Sequence, residues 1–283
     1  MAKKKPTAIQ NTHTTMNAII KPTELLPGDV LLYHGTAFMS KLIMLFDGGD
    51  YSHASVYTGT KIAEAIGEGI VGRDVKTSVA GAKFVDVYRF ISAGGKHLRE
   101  PDYADASIVA RAEYYLARKE LYAYEAILLL AFLASTRRLP VVGWIPGLGK
   151  IVRTILDNAA ELLNQLIKGK KEPMICSELV YRCYGEAAGD KYKLKIIGAD
   201  ALRAQSAQAF AALAAAAPGP LTSEQQDALE TQDAIQDFLA KYAVAKQVNA
   251  APGEISALAV PDFVTPRDLQ RSSNLYKAGA LQI

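Results

Sequence analysis

Residues 52–66 read SHASVYTGTKIAEAI: two short alternating runs joined by Gly59-Thr60. A two-residue connection between strand patterns makes an antiparallel hairpin, and this hairpin limits the fold more than any other stretch. In its register Thr58 faces Lys61, His53 faces Ile66 and Glu64 faces Ser55. Side chains repeat on one face every second residue, so His53 and Glu64 become diagonal neighbours on one face, about 7–8 Å apart at Cα. Glu64 lies between Ala63 and Ala65, and a carboxylate buried in such a strand needs a partner.

Around the hairpin the pattern predicts a strand at 30–33 after the Pro27-Gly28-Asp29 turn, a helix at 38–46 and a strand at 83–91. On this reading the sheet is mostly complete by residue 91. Helical spacing follows at 102–119, with Ala106, Val109, Ala110, Ala112, Tyr115 and Leu116 able to share a face. The apolar run 126–134 is well short of the roughly 20 residues that span a bilayer, so it reads as a buried helix. Residues 139–149, which hold Trp144, Pro140 and Pro146, read as a hydrophobic loop, with helices at 151–168 and 173–187 beyond it. The Ala-rich stretch predicts one helix up to about 216 and another at 223–247, the latter started by a capping box of Thr222 and Gln225.

The expected fold class is α+β: a small antiparallel sheet packed against the helix that carries both cysteines, with large helical insertions. Residues 1–22 are polar and aperiodic and read as a tail, leaving 23–283 as a single domain with insertions at about 125–172 and 198–258. With 283 residues and a 50% hydrophobic composition, the chain can fill a real core.

Lys plus Arg total 32 against 29 Asp plus Glu, and a net charge of +3 gives no reason to expect nucleic acid as a partner. The start of the chain has lysines but no apolar signal segment, so a cytoplasmic location or export by a signal-independent route is expected. Cys176 and Cys183 are seven residues apart in one helix, about 10 Å at Cα, too far to bridge. Their spacing, with few histidines, also fails the usual zinc patterns, so neither a metal nor a cofactor is expected.

Cys176 follows Pro173-Met174-Ile175 at the start of its helix, where amide groups and the macrodipole favour a thiolate. His53 is the candidate base and Glu64 the candidate third member. His34, at the end of the first strand, is the rival base, whereas His97 lies in a polar loop and His13 in the tail.

These residues belong to a set of motifs. Pro27-Gly28-Asp29, Tyr51-Ser52-His53, Glu64-Ala65-Ile66-Gly67, the segment Ile175-Cys176-Ser177-Glu178-Leu179-Val180-Tyr181 and a late Val264-Thr265-Pro266-Arg267-Asp268-Leu269 together resemble the YiiX-like permuted papain-fold family within the NlpC superfamily. The resemblance covers roughly 25–91, 102–124, 173–189 and 262–275, and departs at 125–172 and 198–258. It implies a permuted papain-like fold with Cys176 as nucleophile, His53 as base and Glu64 orienting the histidine. The order His, Glu, Cys along the chain is no obstacle, because such sets are recognised by geometry and roles.

The expected chemistry is a thiol hydrolase that forms an acyl-enzyme and cleaves an amide, with a peptidoglycan stem peptide as the substrate that the superfamily implies. An alternative is a lipid acyl hydrolase or acyltransferase touching a membrane surface through 126–148, and a third is a non-catalytic binding module. The Cys176 amide is the natural first oxyanion donor, with Tyr122, Tyr124 and His34 as candidates for the second.

Overall fold

The structure is a computed structural model; it describes residues 18–118, 121–122, 125–136, 148–169, 172–196, 223–245 and 264–283. In chain order the elements are β1 (Ile19–Ile20), β2 (Val30–Gly35), α1 (Phe38–Asp47), β3 (His53–Tyr57), β4 (Ile62–Ile66), β5 (Gly69–Arg73), α2 (Val75–Val79) and β6 (Ala82–Phe90). Then come α3 (Ala106–Ala117), β7 (Leu121–Tyr122), α4 (Glu125–Thr136), α5 (Leu148–Lys168), β8 (Glu172–Pro173), α6 (Cys176–Gly185), α7 (Ser223–Ala245), α8 (Pro266–Gln270) and β9 (Leu275–Leu281). This is an α+β architecture, as the sequence predicts.

Seven strands form one sheet in the order β1-β9-β6-β2-β3-β4-β5. All pairings in it are antiparallel except that of β1 with β9. The predicted hairpin register holds: Val56 pairs with Ala63 and Tyr57 with Ile62, the same alignment that sets Thr58 against Lys61.

The sheet is mostly complete by residue 91, as the sequence predicts: six of its seven strands precede that point and β9 comes later. Strand β9 pairs along β6, and β1 then pairs with β9 through Ile19 to Ala280 and Ile20 to Leu281. Strand order therefore reaches into the stretch 1–22 that composition reads as a tail, of which residues 1–17 lie outside the described residues. Gly279 is required at this junction, since a Cβ there would come within 2.3 Å of the Ala18 carbonyl oxygen.

Alternation along the strands sorts the core onto two faces. Val30, Leu32, Ala54, Val56, Ala63 and Ala65 join the larger core with α6. Leu31, Tyr33, Ile62, Val85 and Val87 form a second cluster with Val79 of α2 and with Ile20 and Leu281. The helices beyond β6 extend the larger core. On α3 the buried stripe is Ile108, Ala112 and Tyr115, narrower than the predicted face, and Ala106 and Ala110 are exposed. Leu128, Leu129, Leu130, Ala131 and Leu133 of α4 are wholly buried. Helix α5 packs on both α4 and α7, and it begins at Leu148, inside the stretch predicted as loop. The rest of that loop, 139–147 with Trp144, lies outside the described residues, as does the predicted helix ending near 216.

The C-terminal segment ties these layers together. Asp47, at the end of α1, accepts bonds from Thr265 Oγ1 at 3.0 Å and from the Arg267 N–H at 3.1 Å. Ser177, the second residue of α6, donates to the Val264 carbonyl at 2.6 Å.

Candidate active site

His53 opens β3, and Glu64 sits at the centre of β4. Their side chains meet as the register requires, with His53 Nε2 at 3.0 Å from Glu64 Oε2, and with 16% and 3% of the side chains exposed. A carboxylate can only accept, so Nε2 carries the hydrogen; in the neutral ring Nδ1 is then the basic nitrogen.

Three further residues support the pair. Ser78, on α2, donates to the same Glu64 oxygen at 3.2 Å. Tyr33 pairs with His53 in the β2–β3 ladder, lies 4.9 Å from its ring, and bonds through its hydroxyl to Ser78 at 2.8 Å and Ser55 at 2.7 Å. Burial pushes the Tyr33 phenol up to about 12, with the His53 charge acting against that and the Glu64 charge with it. Arg73 of β5 brings Nε to 3.6 Å from Glu64 Oε1, an oxygen that is buried and accepts no hydrogen bond. Alternation in β2 and the hairpin register would have put Tyr33 beside His53; Ser78 depends on how α2 docks and leaves no local trace.

Cys176 is the first residue of α6, which lies against β3 and β4. It is fully buried, in the core that includes Ala54, Val56, Ala63 and Ala65. Those alanines and Val56 alternate with His53 and Glu64 along the two strands, and their small side chains let the helix come close to the sheet. Ile175, just before the helix, has its N–H 3.4 Å from Glu178 Oε2, and Glu178 is paired with Arg182 at 2.7 Å. An acid in the first turn takes part of the field that would stabilise a thiolate, and Arg182 offsets its charge. Cys183 is also fully buried, and burial, aided by the Glu186 charge, pushes its thiol far up.

A cleft of about 400 Å³ opens beside the histidine and carboxylate, lined by His53, Glu64, Tyr33, Arg73 and Ser78 among others. Cys176 does not line it. The structure thus joins His53 to Glu64 directly and sets Cys176 at the start of the helix lying on their strands.

His34 has another role: its Nδ1 is 2.8 Å from the Asp50 carbonyl oxygen and its ring stacks on Phe84 at 4.6 Å. Tyr122 contributes backbone beside the cysteine helix, pairing with Pro173. Its side chain, and the whole of Tyr124, lie outside the described residues. Among the described residues no three His, Cys, Asp or Glu side chains are grouped as a metal would need, and no helix is long and apolar enough to cross a membrane.

No protein-family model matches the chain, and no curated protein matches it. Among solved structures, the crystal structure of the metalloprotein YiiX from Escherichia coli O157:H7 aligns with 89% of this chain and 96% of that one, at 14% identity and a TM-score of 0.41.

Proposed function

We propose that the chain is a cysteine hydrolase of the permuted papain-like kind, with Cys176 as nucleophile, His53 as base and Glu64 orienting the imidazole. One observation carries this reading: a His53–Glu64 pair, 3.0 Å apart with the carboxylate buried, on the two strands against which the Cys176 helix is laid. In the proposed cycle Nδ1 of His53 takes the Cys176 proton. The thiolate adds to the substrate carbonyl, and the amine leaves with that proton. Water, deprotonated by the same nitrogen, then releases the acyl group as an acid and restores the thiol. The Cys176 N–H, at the helix start, faces the developing oxyanion.

The substrate favoured is a peptide amide, with a peptidoglycan stem peptide as the form that the superfamily resemblance implies. For a lipid acyl substrate, the described leucines of α4 give no membrane contact, because they are inside the core.

Intact-mass measurement after incubation with peptide amides and with acyl esters tests the proposal. An acyl adduct from the amides that vanishes in Cys176→Ala supports it, and an adduct from esters alone moves the substrate to lipids. No adduct from either class would leave a binding module and overturn the enzymatic reading.

A further inference from the structure

A second cleft, of about 230 Å³, shares no residue with the first; its walls include Asp29, Arg89, His97, Leu98, Arg99 and Tyr276. Arg89 is pinned in place: Nε and Nη2 clasp Asp29 at 2.9 and 3.1 Å, and Nη2 reaches the Glu24 carbonyl at 3.0 Å. Asp29 also accepts the Leu26 N–H at 2.9 Å, so its oxygens are committed and its charge is matched. Glu100, the other acid nearby, is engaged by the His97 N–H at 3.0 Å and by Lys96 at 3.3 Å. Arg99 has no such partner: among the described residues it forms no ion pair or side-chain hydrogen bond. Its charge nevertheless lies close enough to act on both Asp29 and Tyr276.

The backbone at Arg99 is left-handed, with φ at 71°. For a residue with a Cβ that costs on the order of 1 kcal/mol, and it persists only where the surroundings impose it. They do so here: the Arg99 N–H donates to the Tyr103 carbonyl at 2.7 Å. Its neighbour Leu98 packs over Gly28 so closely that a Cβ at Gly28 would sit 2.7 Å from Leu98 Cδ1. Glycine at position 99 would avoid the strain, yet the site carries an arginine.

We propose that this cleft binds a phosphate-type oxyanion, gripped by Arg99 and Arg89, with the His97 ring and the Tyr276 hydroxyl as further donors. Planar guanidinium groups match the paired oxygens of such an anion, and here two arginines line one cleft while the Asp29 and Glu100 carboxylates are already engaged. The site stands apart from the proposed hydrolase chemistry and does not depend on it.

Calorimetric titration of the full chain with inorganic phosphate at constant ionic strength tests this, together with melting temperatures in phosphate and in chloride. Wild type is expected to bind phosphate and to melt higher in it. Arg99→Gly should fold at least as well without phosphate and bind it at least about tenfold more weakly. Arg99→Asn, which tolerates the left-handed backbone, should show the same loss. No heat and no melting shift in wild type, or undiminished binding in both variants, would overturn the proposal.

Discussion

Ser78 and His53 converge on a single atom: the hydroxyl of one and the Nε2 of the other both reach Glu64 Oε2, at 3.2 and 3.0 Å. The imidazole is thereby held through a carboxylate that is itself held from α2. Ser78→Ala is expected to lower kcat by about three- to tenfold with little change in KM, the size of one lost hydrogen bond. Ser78→Thr, which keeps the hydroxyl, should restore it. An unchanged kcat in the alanine variant would show that Glu64 needs no such support.

His53→Ala should reduce turnover by about 10²–10⁴-fold, and Glu64→Gln should cost less. The comparison that matters is His34→Ala. Its ring is bonded to a backbone carbonyl and stacked on Phe84, so that variant should keep its activity; loss of turnover there and not in His53→Ala would reassign the base.

Iodoacetamide near neutral pH should alkylate Cys176 ahead of Cys183, read by peptide mass spectrometry. Both thiols are fully buried, so each waits for local opening. Only Cys176 stands at a helix start, whereas Cys183 is driven further toward the neutral thiol by burial and by Glu186. Preferential labelling of Cys183 would remove Cys176 from the proposed chemistry.

Tyr33 gives a prediction in pH. Its phenol is raised from 10.0 to about 12 in the folded chain, so the unfolded chain loses this proton first. The stability it contributes is whole below about pH 10 and is lost as pH rises through about 12. Tyr33→Phe removes that titration and, at neutral pH, costs about 1–2 kcal/mol through the bonds to Ser55 and Ser78. Urea unfolding at about pH 8 and about pH 11 checks it: the gap between the two stabilities should narrow in the variant. An equal gap would mean that the phenol is not held protonated.

Asp47→Ala should destabilise the fold by about 2–3 kcal/mol, because the Thr265 hydroxyl and the Arg267 N–H both lose a buried acceptor. Thermal unfolding measures this, and a change below about 0.5 kcal/mol would show that the C-terminal segment is held by packing alone.

The hairpin was legible because Gly59-Thr60 and the alternation on either side leave one register that keeps Ala54, Val56, Ala63 and Ala65 on the core face. The pairing of His53 with Glu64 followed from that register. What sequence reasoning missed is short or distant. Strand β5 is a five-residue run with a glycine at each end of its apolar pair, Gly69 and Gly72. Helix α2 is a single turn or so, announced only by Asp74 accepting the Thr77 N–H at 2.9 Å, and too brief to show a period. Strand β9 joins β6 from almost two hundred residues away, a distance at which local pattern carries no information about partners.

That last pairing has a consequence for how the chain is made. On the ribosome, β6 emerges long before residues 275–281, and nothing else in the sheet order covers its outer edge. Through most of synthesis the nascent protein therefore displays an unpaired strand edge, with Val85 and Val87 still lacking the cover that Leu281 and Ile20 later give to their cluster. Closing so long a loop is slow, and an open edge can template pairing with another chain. A truncation that removes 275–281 should yield aggregate rather than a smaller folded domain.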